Sequence, residues 1–335
     1  MNLNNANREK LDIYFDPNYA KLYEKVEDGR VERFVLETEN GRISNLFLLR
    51  EIPEKLDEVQ YKDIVSPYGY GGPIIEYCKE DKKNELLKEY ENAFYKYCAD
   101  NHIVSEFVRF HPIINNGLDF SLIYNSQCIR NTVGTNLLLG DDPIQEEFSK
   151  SCRKRIRRAI RDGVSYRITE KPDTTHSFKE IYYSTMERNE AGDYYYFDDE
   201  YFQQCVDCFR DNIILVEALF EDKVIAAGFY FVWDKVIHIH LSGTLSEYLY
   251  LSPAYILRYA VTMWGKEHGY ELIHHGGGRS NSEEDSLYLF KKQFGEKTSF
   301  DFYVGRKIWN EDIYDKLCSK VGKDRLTNYF PAYRK

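Results

Sequence analysis

Three groups of residues in this chain have types and spacing that chemistry can use. The first is Phe290-Lys291-Lys292-Gln293-Phe294. On a helix, Phe290 and Phe294 share one face, so that face packs inward. Lys291 then sits at the edge of the buried face. Its ammonium either snorkels to water or meets negative charge that develops nearby. The second group is the loop Ser66-Pro67-Tyr68-Gly69-Tyr70-Gly71-Gly72-Pro73. Its glycines and prolines fix an irregular backbone. Tyr68 and Tyr70 add ring faces and hydroxyls suited to a sugar or a peptide; a rigid connection between strands is the plainer alternative. The third is RKRIRRAIRDGV, Arg153 to Val164, with six basic residues in nine positions. Ile156 and Ile160 mark its inward face. Like charges repel, so a phosphorylated partner would relieve a cost, although a solvated surface helix carries the same pattern.

Fainter signals surround these three. Ser242, Gly243 and Thr244 end an apolar run, where backbone can approach a ligand closely. His238 and His240 alternate onto one strand face, but no carboxylate or cysteine stands nearby in ligand spacing. They and His274-His275 read as structural histidines, and no metal is expected. Cys205-Val206-Asp207-Cys208 is a lone CxxC inside a helical pattern and reads as packing. There is no phosphate-binding P-loop, no GxGxxG after the first strand and no GxSxG nucleophile elbow.

The elements that must position these residues follow from periodicity. Residues 33–51 form two strand-like runs about Glu39-Asn40-Gly41, a hairpin signal. Helical spacing spans Asp81–Asp100, with strands near Ile103–Phe110 and Cys128–Leu139 completing a first sheet. A helix over Pro143–Asp162 leads out of this unit, followed by helices at Thr175–Glu190 and Asp199–Asp211. A second sheet opens with Ile213–Phe220, Val224–Trp233 and Val236–Leu241. Pro253 then starts a helix that Gly269 closes. A short strand, Glu271–His275, runs into three glycines, and Asp285 caps the helix that carries Lys291.

Composition sets the class. The 335 residues suffice for two cored domains, and 30% charged with 43% hydrophobic residues is ordinary for a soluble protein. A net charge of −10 argues against a general nucleic-acid coat and against DNA as a partner. The opening MNLNNANREK lacks the apolar run of a secretory signal, and Val224–Trp233 is too short to span a bilayer. Seven cysteines without framework spacing fit a reduced, cytoplasmic protein.

The strand–helix–strand–helix stretch from Leu241 to Phe294, the SPYGYGGP loop and the basic helix together resemble the FemAB-like transferases of the GNAT acyltransferase superfamily. The resemblance implies an α/β fold of two tandem GNAT-like units, each a mixed β-sheet flanked by helices. Their expected bounds are 1–145 and 146–335, the second holding the basic linking helix and the transfer site. It further implies transfer of an acyl or aminoacyl group to an amine, on a peptidoglycan precursor or another envelope sugar or peptide. Direct attack in a ternary complex fits a chain without a nucleophile motif. By the same resemblance, Lys291 faces the reaction site and backbone at Ser242, Gly243 and Thr244 helps to steady the oxyanion. Tyr255 and Asp285 are candidates for the base. Tyr68, Tyr70, Gly71 and Arg109 would contact the acceptor, with Arg155 and Arg158 on its phosphate.

The donor stays open between aminoacyl-tRNA and acyl-CoA, with no permanently bound cofactor. Where standard GNAT enzymes cradle pyrophosphate on a glycine-containing turn, this chain has Tyr248-Leu249-Tyr250-Leu251-Ser252-Pro253-Ala254. Proline removes a donor there, which favours tRNA. The absence of a long heptad run keeps acyl-CoA in play. Expected partners are a small-molecule or lipid-linked acceptor and charged tRNA, with transient contact at the inner membrane face. The alternatives are an acetyl-CoA-dependent N-acetyltransferase for an amino sugar or small amine, and a non-catalytic binding protein on a degenerate GNAT fold.

Overall fold

The computed structural model describes residues 11–325 and 327–335. The chain divides into two compact units, one of residues 1–129 and 301–335 and the other of residues 130–300. The expected bounds of 1–145 and 146–335 differ from this in two ways. The division falls earlier, and the last segment returns to the first unit.

Unit 1 opens with short helical turns α1 (Pro17–Lys21) and α2 (Glu24–Glu27). Strands β1 (Gly29–Thr38) and β2 (Gly41–Glu51) then pair antiparallel from Gly29↔Arg50 to Thr38↔Gly41, the hairpin that Asn40-Gly41 signals. β3 (Lys62–Val65) follows on β2, and β4 (Ile74–Cys78) adds to the other end of β2. Helix α3 (Lys83–Asp100) buries Leu86, Tyr90, Phe94 and Cys98, the i, i+4, i+8, i+12 stripe of an amphipathic helix. β5 (Ile103–Arg109) lies parallel to β3, and the short turns α4 (Asn116–Asp119) and α5 (Ser121–Tyr124) follow it.

β6 (Gln127–Asn136) was expected to complete this first sheet. It pairs with a strand of unit 2, described below. The place beside β5 goes to β12 (Ser299–Ile308), antiparallel from Val304↔Arg109 to Ile308↔Ser105, and α12 (Glu311–Lys320) follows it. Nothing local in residues 299–308 announces that partner; pairing across such a separation is decided by packing.

In unit 2 the expected single helix at 143–162 is two: α6 (Pro143–Glu147) and α7 (Lys150–Arg161). Phe148 leaves the helical region at φ −87°, ψ 136°, and Ser149 caps α7 by accepting from Cys152 N at 3.1 Å. The inward face of α7 is Cys152, Ile156 and Ala159, and Ile160 is 45% exposed, contrary to the inward place expected for it. β7 (Ser165–Glu170), α8 (His176–Arg188), α9 (Asp199–Phe209), β8 (Ile213–Phe220), β9 (Lys223–Trp233) and β10 (Val236–Thr244) follow. Next come α10 (Pro253–Glu267), β11 (Leu272–Gly276) and α11 (Ser286–Lys292). The sheet runs β6-β11-β10-β9-β8-β7, with β10 and β11 parallel and the other pairs antiparallel. Both units are thus mixed sheets with helices, as expected for tandem GNAT-like units.

Candidate active site

β11 brings His274, His275 and Gly276 to the end of the unit 2 sheet, where Gly276 turns the chain at φ 74°. α11 starts beyond this glycine run and aims Lys291 back at it. Lys291 Nζ donates to Gly277 O at 2.7 Å, and Arg130 Nη1 donates to Gly278 O at 2.6 Å. Phe294 is fully buried, tilted against Tyr255 at 5.3 Å and edge-on to Phe148 at 5.3 Å, so the aromatic face fixes where Lys291 points. Desolvation, Arg258 and Arg130 push the Lys291 ammonium down to about 7, against the pull of Asp285. An amine that titrates near neutrality can carry a proton as well as charge.

Around it lie groups that sequence reasoning did not assign. His275, 1% exposed, meets Thr135 Oγ1 at 2.8 Å through Nε2. Thr135 already donates its proton to Phe294 O at 2.6 Å, so hydrogen counting makes His275 the Nε2–H tautomer. Its Nδ1 has no hydrogen-bond partner. Desolvation first, then Arg258 and Lys291, hold this imidazole well below its ordinary value, so it is neutral. A sequence signal for Arg258 did exist: a lone arginine in the apolar run Ile256, Leu257, Ala260, Val261.

The expected site residues divide. Asp285 caps α11, accepting from Tyr288 N at 2.9 Å through one oxygen and from Arg279 N, Ser280 N and Ser280 Oγ through the other. Hydrogen bonds from Tyr288 and the Ser280 turn hold its carboxyl far below the usual range, so it is a loop clamp and a poor base. Tyr255 stays near, its hydroxyl sharing a hydrogen bond with the Gln293 amide at 3.2 Å. The Arg155 guanidinium lies over the Tyr255 ring at 5.5 Å, which places it beside this site. Arg158 pairs instead with Asp162 at 3.3 Å on the exposed side of α7.

Ser242, Gly243 and Thr244 do not offer free backbone to a ligand. Thr244 N donates to Thr185 Oγ1 at 2.7 Å, and its carbonyl accepts from Thr185 and Arg188. A Cβ on Gly243 would stand 2.5 Å from Ile181 O, so this glycine lets α8 cross the strand closely. Ser242 pairs with Gly228 in the sheet.

In unit 1 the glycine loop is tied down. Gly71 N donates to Arg109 O at 2.8 Å, and Gly71 O accepts from Asn116 Nδ2 at 2.9 Å. Arg109 Nη1 in turn donates to Ser66 O at 2.9 Å. Tyr70, 8% exposed, packs against Tyr14 at 5.2 Å, Phe302 at 5.3 Å and His111 at 5.6 Å, which makes it a core residue. Tyr68 is half-buried and keeps part of its surface open. Ring contacts surround the paired histidines. His240 Nε2 meets Tyr201 OH at 2.6 Å and is neutral, and the His238 and His274 rings are 5.8 Å apart. At the start of α10, Ser252 adopts φ 56° and Pro253 opens the helix, without a glycine turn. Among the described residues no helix is long and apolar enough to cross a membrane.

Residues 147–285 match the family model of the acetyltransferase (GNAT) domain. A curated UDP-N-acetylmuramoylpentapeptide-lysine N(6)-alanyltransferase of Weissella viridescens is 25% identical over 173 residues, 51% of this chain and 50% of the relative. The chain thus spans about half the length of the curated relative it matches. Among solved structures, FemX superposes with a TM-score of 0.65 at 13% identity, over 91% of this chain and 94% of that one. L-PGS from Bacillus licheniformis does so at 0.51 and 13%, over 93% and 98%. The fold is like that of FemX across most of the chain, and the acetyltransferase (GNAT) domain match falls on residues 147–285. By these likenesses the chain is similar to FemAB-type proteins with a GNAT domain.

Proposed function

We propose that this chain transfers an acyl or aminoacyl group to an amine on a peptidoglycan precursor or a related envelope sugar or peptide. One observation carries the reading: α11 aims the Lys291 amine at the glycine run after β11, where Nζ donates to Gly277 O. The alanyltransferase name of the Weissella viridescens relative supports the acceptor class. In the reaction the acceptor amine attacks the donor carbonyl, and a C–N bond forms. The carbonyl electron pair moves to oxygen, where Lys291 Nζ meets the negative charge. The pair then returns and expels the donor's oxygen or sulfur, which leaves with the proton the amine lost. Orientation in a ternary complex supplies much of the rate.

The residues divide accordingly. Lys291 is the catalytic group, Tyr255 packs on Phe290 and Phe294 either side of it in sequence, and Arg155, over the Tyr255 ring, is the basic-helix residue for acceptor phosphate. The Ser252-Pro253 start of α10 favours aminoacyl-tRNA as donor. A second reading, acetyl-CoA-dependent N-acetylation of an amino sugar or small amine, draws on the acetyltransferase family match. A lipid-linked acceptor would bring transient contact with the inner membrane face.

The test is turnover. Purified protein is given alanyl-tRNA or acetyl-CoA with a UDP-linked muramyl pentapeptide, and product is followed by mass. Lys291→Ala should lower transfer by about tenfold or more while the thermal melt is unchanged, since lost oxyanion donors cost that much or more. Transfer at the unsubstituted rate would remove Lys291 from catalysis. A chain that binds the muramyl peptide and turns over no donor is a binding protein.

A further inference from the structure

Two side chains of β6, Arg130 and Thr135, end on the backbone around Lys291. Arg130 Nη1 donates to Gly278 O at 2.6 Å, one residue beyond the carbonyl of Gly277 that accepts from Lys291 Nζ at 2.7 Å. Thr135 Oγ1 donates to Phe294 O at 2.6 Å, just past the end of α11. The start of the same helix is held by Asp285, which accepts from Tyr288 N at 2.9 Å. Both ends of α11 are therefore fixed, and the glycine run that the lysine meets has a restraint of its own in Arg130.

That run needs a restraint. Glycine loses more conformational freedom on folding than any other residue, so three in a row hold no shape by themselves. Gly276 is paired with Val133 of β6, and beyond it the neighbours set the path. A Cβ on Gly277 would stand 3.2 Å from Arg130 Cδ and 3.3 Å from Asn131 O. One on Gly278 would stand 2.5 Å from Asp285 Oδ1. The run thus packs on the Arg130 stem at one residue and on the Asp285 carboxylate at the next. Lysine carries its amine on a flexible four-carbon stem, so the place of Gly277 O decides where Nζ stands.

We propose that Arg130 is a positioning residue of the transfer site: by holding Gly278 O it fixes the neighbouring Gly277 O, and through that carbonyl it aims the Lys291 amine. The proposal rests on the acyl-transfer reading. As an ammonium, Nζ has three protons; Gly277 O takes one and leaves two for the oxygen that becomes negative. With the carbonyl released, the amine turns on its stem and loses its aim. A misplacement of about 1 Å at a reacting centre costs on the order of 100-fold in rate. Arg130 itself touches no reacting atom, so its loss falls on kcat and leaves KM in place.

The test reads the rate and the loop separately. Transfer by the full chain is followed with alanyl-tRNA or acetyl-CoA and the UDP-linked muramyl pentapeptide. Arg130 is half-buried, and Arg130→Met keeps its apolar stem. This variant should lower kcat about tenfold or more and leave KM for the muramyl peptide within about twofold. Arg130→Lys keeps a donor for Gly278 O and should restore most of the rate. On a Lys291→Ala background, Arg130→Met should add less than about twofold, because the arginine acts through the lysine. Hydrogen exchange of the Arg279 and Ser280 amides should quicken in Arg130→Met while the β6 amides stay protected. An undiminished kcat, a rise in KM alone, or an equal loss on both backgrounds overturns the proposal. If the unsubstituted protein turns over no donor, the acyl-transfer reading falls and exchange decides the clamp. Faster exchange in Arg130→Met then upholds Arg130 as the restraint on the glycine run, and unchanged exchange overturns it.

Discussion

Glu106 is a carboxyl at 1% exposure in the core of unit 1. It accepts from Asn45 Nδ2 at 2.9 Å and from Trp309 Nε1 at 3.1 Å, and burial pushes its carboxyl up to about 7. Hydrogen bonds and Lys307 moderate the rise without cancelling it. The unfolded chain releases this proton near about 4.3, so the folded state holds one the unfolded state has lost between that value and 7. The associated stability is present below the lower value and lost as pH rises through the upper one. Over that window the loss is roughly 4 kcal/mol. Glu106→Gln keeps the acceptor for Asn45 and Trp309 and should flatten this dependence. Urea unfolding followed at Trp309, with Trp233 and Trp264 changed to Phe, measures it; identical slopes for the two proteins would discard the account. At the same scale, Lys291 and Asp285 show how neighbours split two groups on one helix. The lysine is desolvated beside arginines, while the aspartate collects donors, and only the first keeps a use for its proton.

Elements decide what a small residue is for. Gly243 ends β10, where the sequence pattern allowed close approach by a ligand, but the closely approaching group is α8. Gly243→Ala forces a methyl against Ile181 O and the Tyr182 backbone at 2.8 Å, which overpacking places at about 1–3 kcal/mol. Ser242→Ala, one residue earlier, should stay within about 0.5 kcal/mol. Thermal melts compare the two directly. Equal melts would return Gly243 to the candidates for a ligand surface. α7 teaches a related lesson. Its six basic residues were legible, but which of them reaches the site was not. Arg155 lies over Tyr255, and Arg158 is held by Asp162, because the helix rotates Cys152, Ile156 and Ala159 inward.

For the molecule as a whole, the C-terminal return is the structural commitment with most at stake. Residues 301–335 supply β12 beside β5, and Trp309 N and Asn310 N both donate to Val104 O, at 2.8 and 3.1 Å. Tyr333 OH meets Ser105 Oγ at 2.7 Å on the same strand. A chain ended after Phe300 leaves β5 as an open edge and takes Trp309 from the core, an arrangement prone to association. Hydrogen exchange should then find the β5 amides unprotected, with the truncated chain aggregating at concentrations where the full chain does not. Full protection of β5 in the truncated chain would show that the return is dispensable.

The sequence alone determined the elements that local rules govern. Asn40-Gly41 turned the first hairpin, Pro253 and Gly269 bracketed α10, Asp285 capped α11, and Phe290 with Phe294 oriented Lys291. These are contacts within a few residues, where dihedral preference and periodicity act. The family resemblance and two-unit α/β class came from the order of three such motifs along the chain. Tertiary structure decided the rest. It set β6 beside β11, sent residues 301–335 back to unit 1, and packed Tyr70 and Gly243 where a ligand was expected. It also buried Arg258 against the Tyr230 hydroxyl. Strand partners, burial and the field at a charge depend on residues far apart in sequence, and no local pattern encodes which distant side chain will arrive.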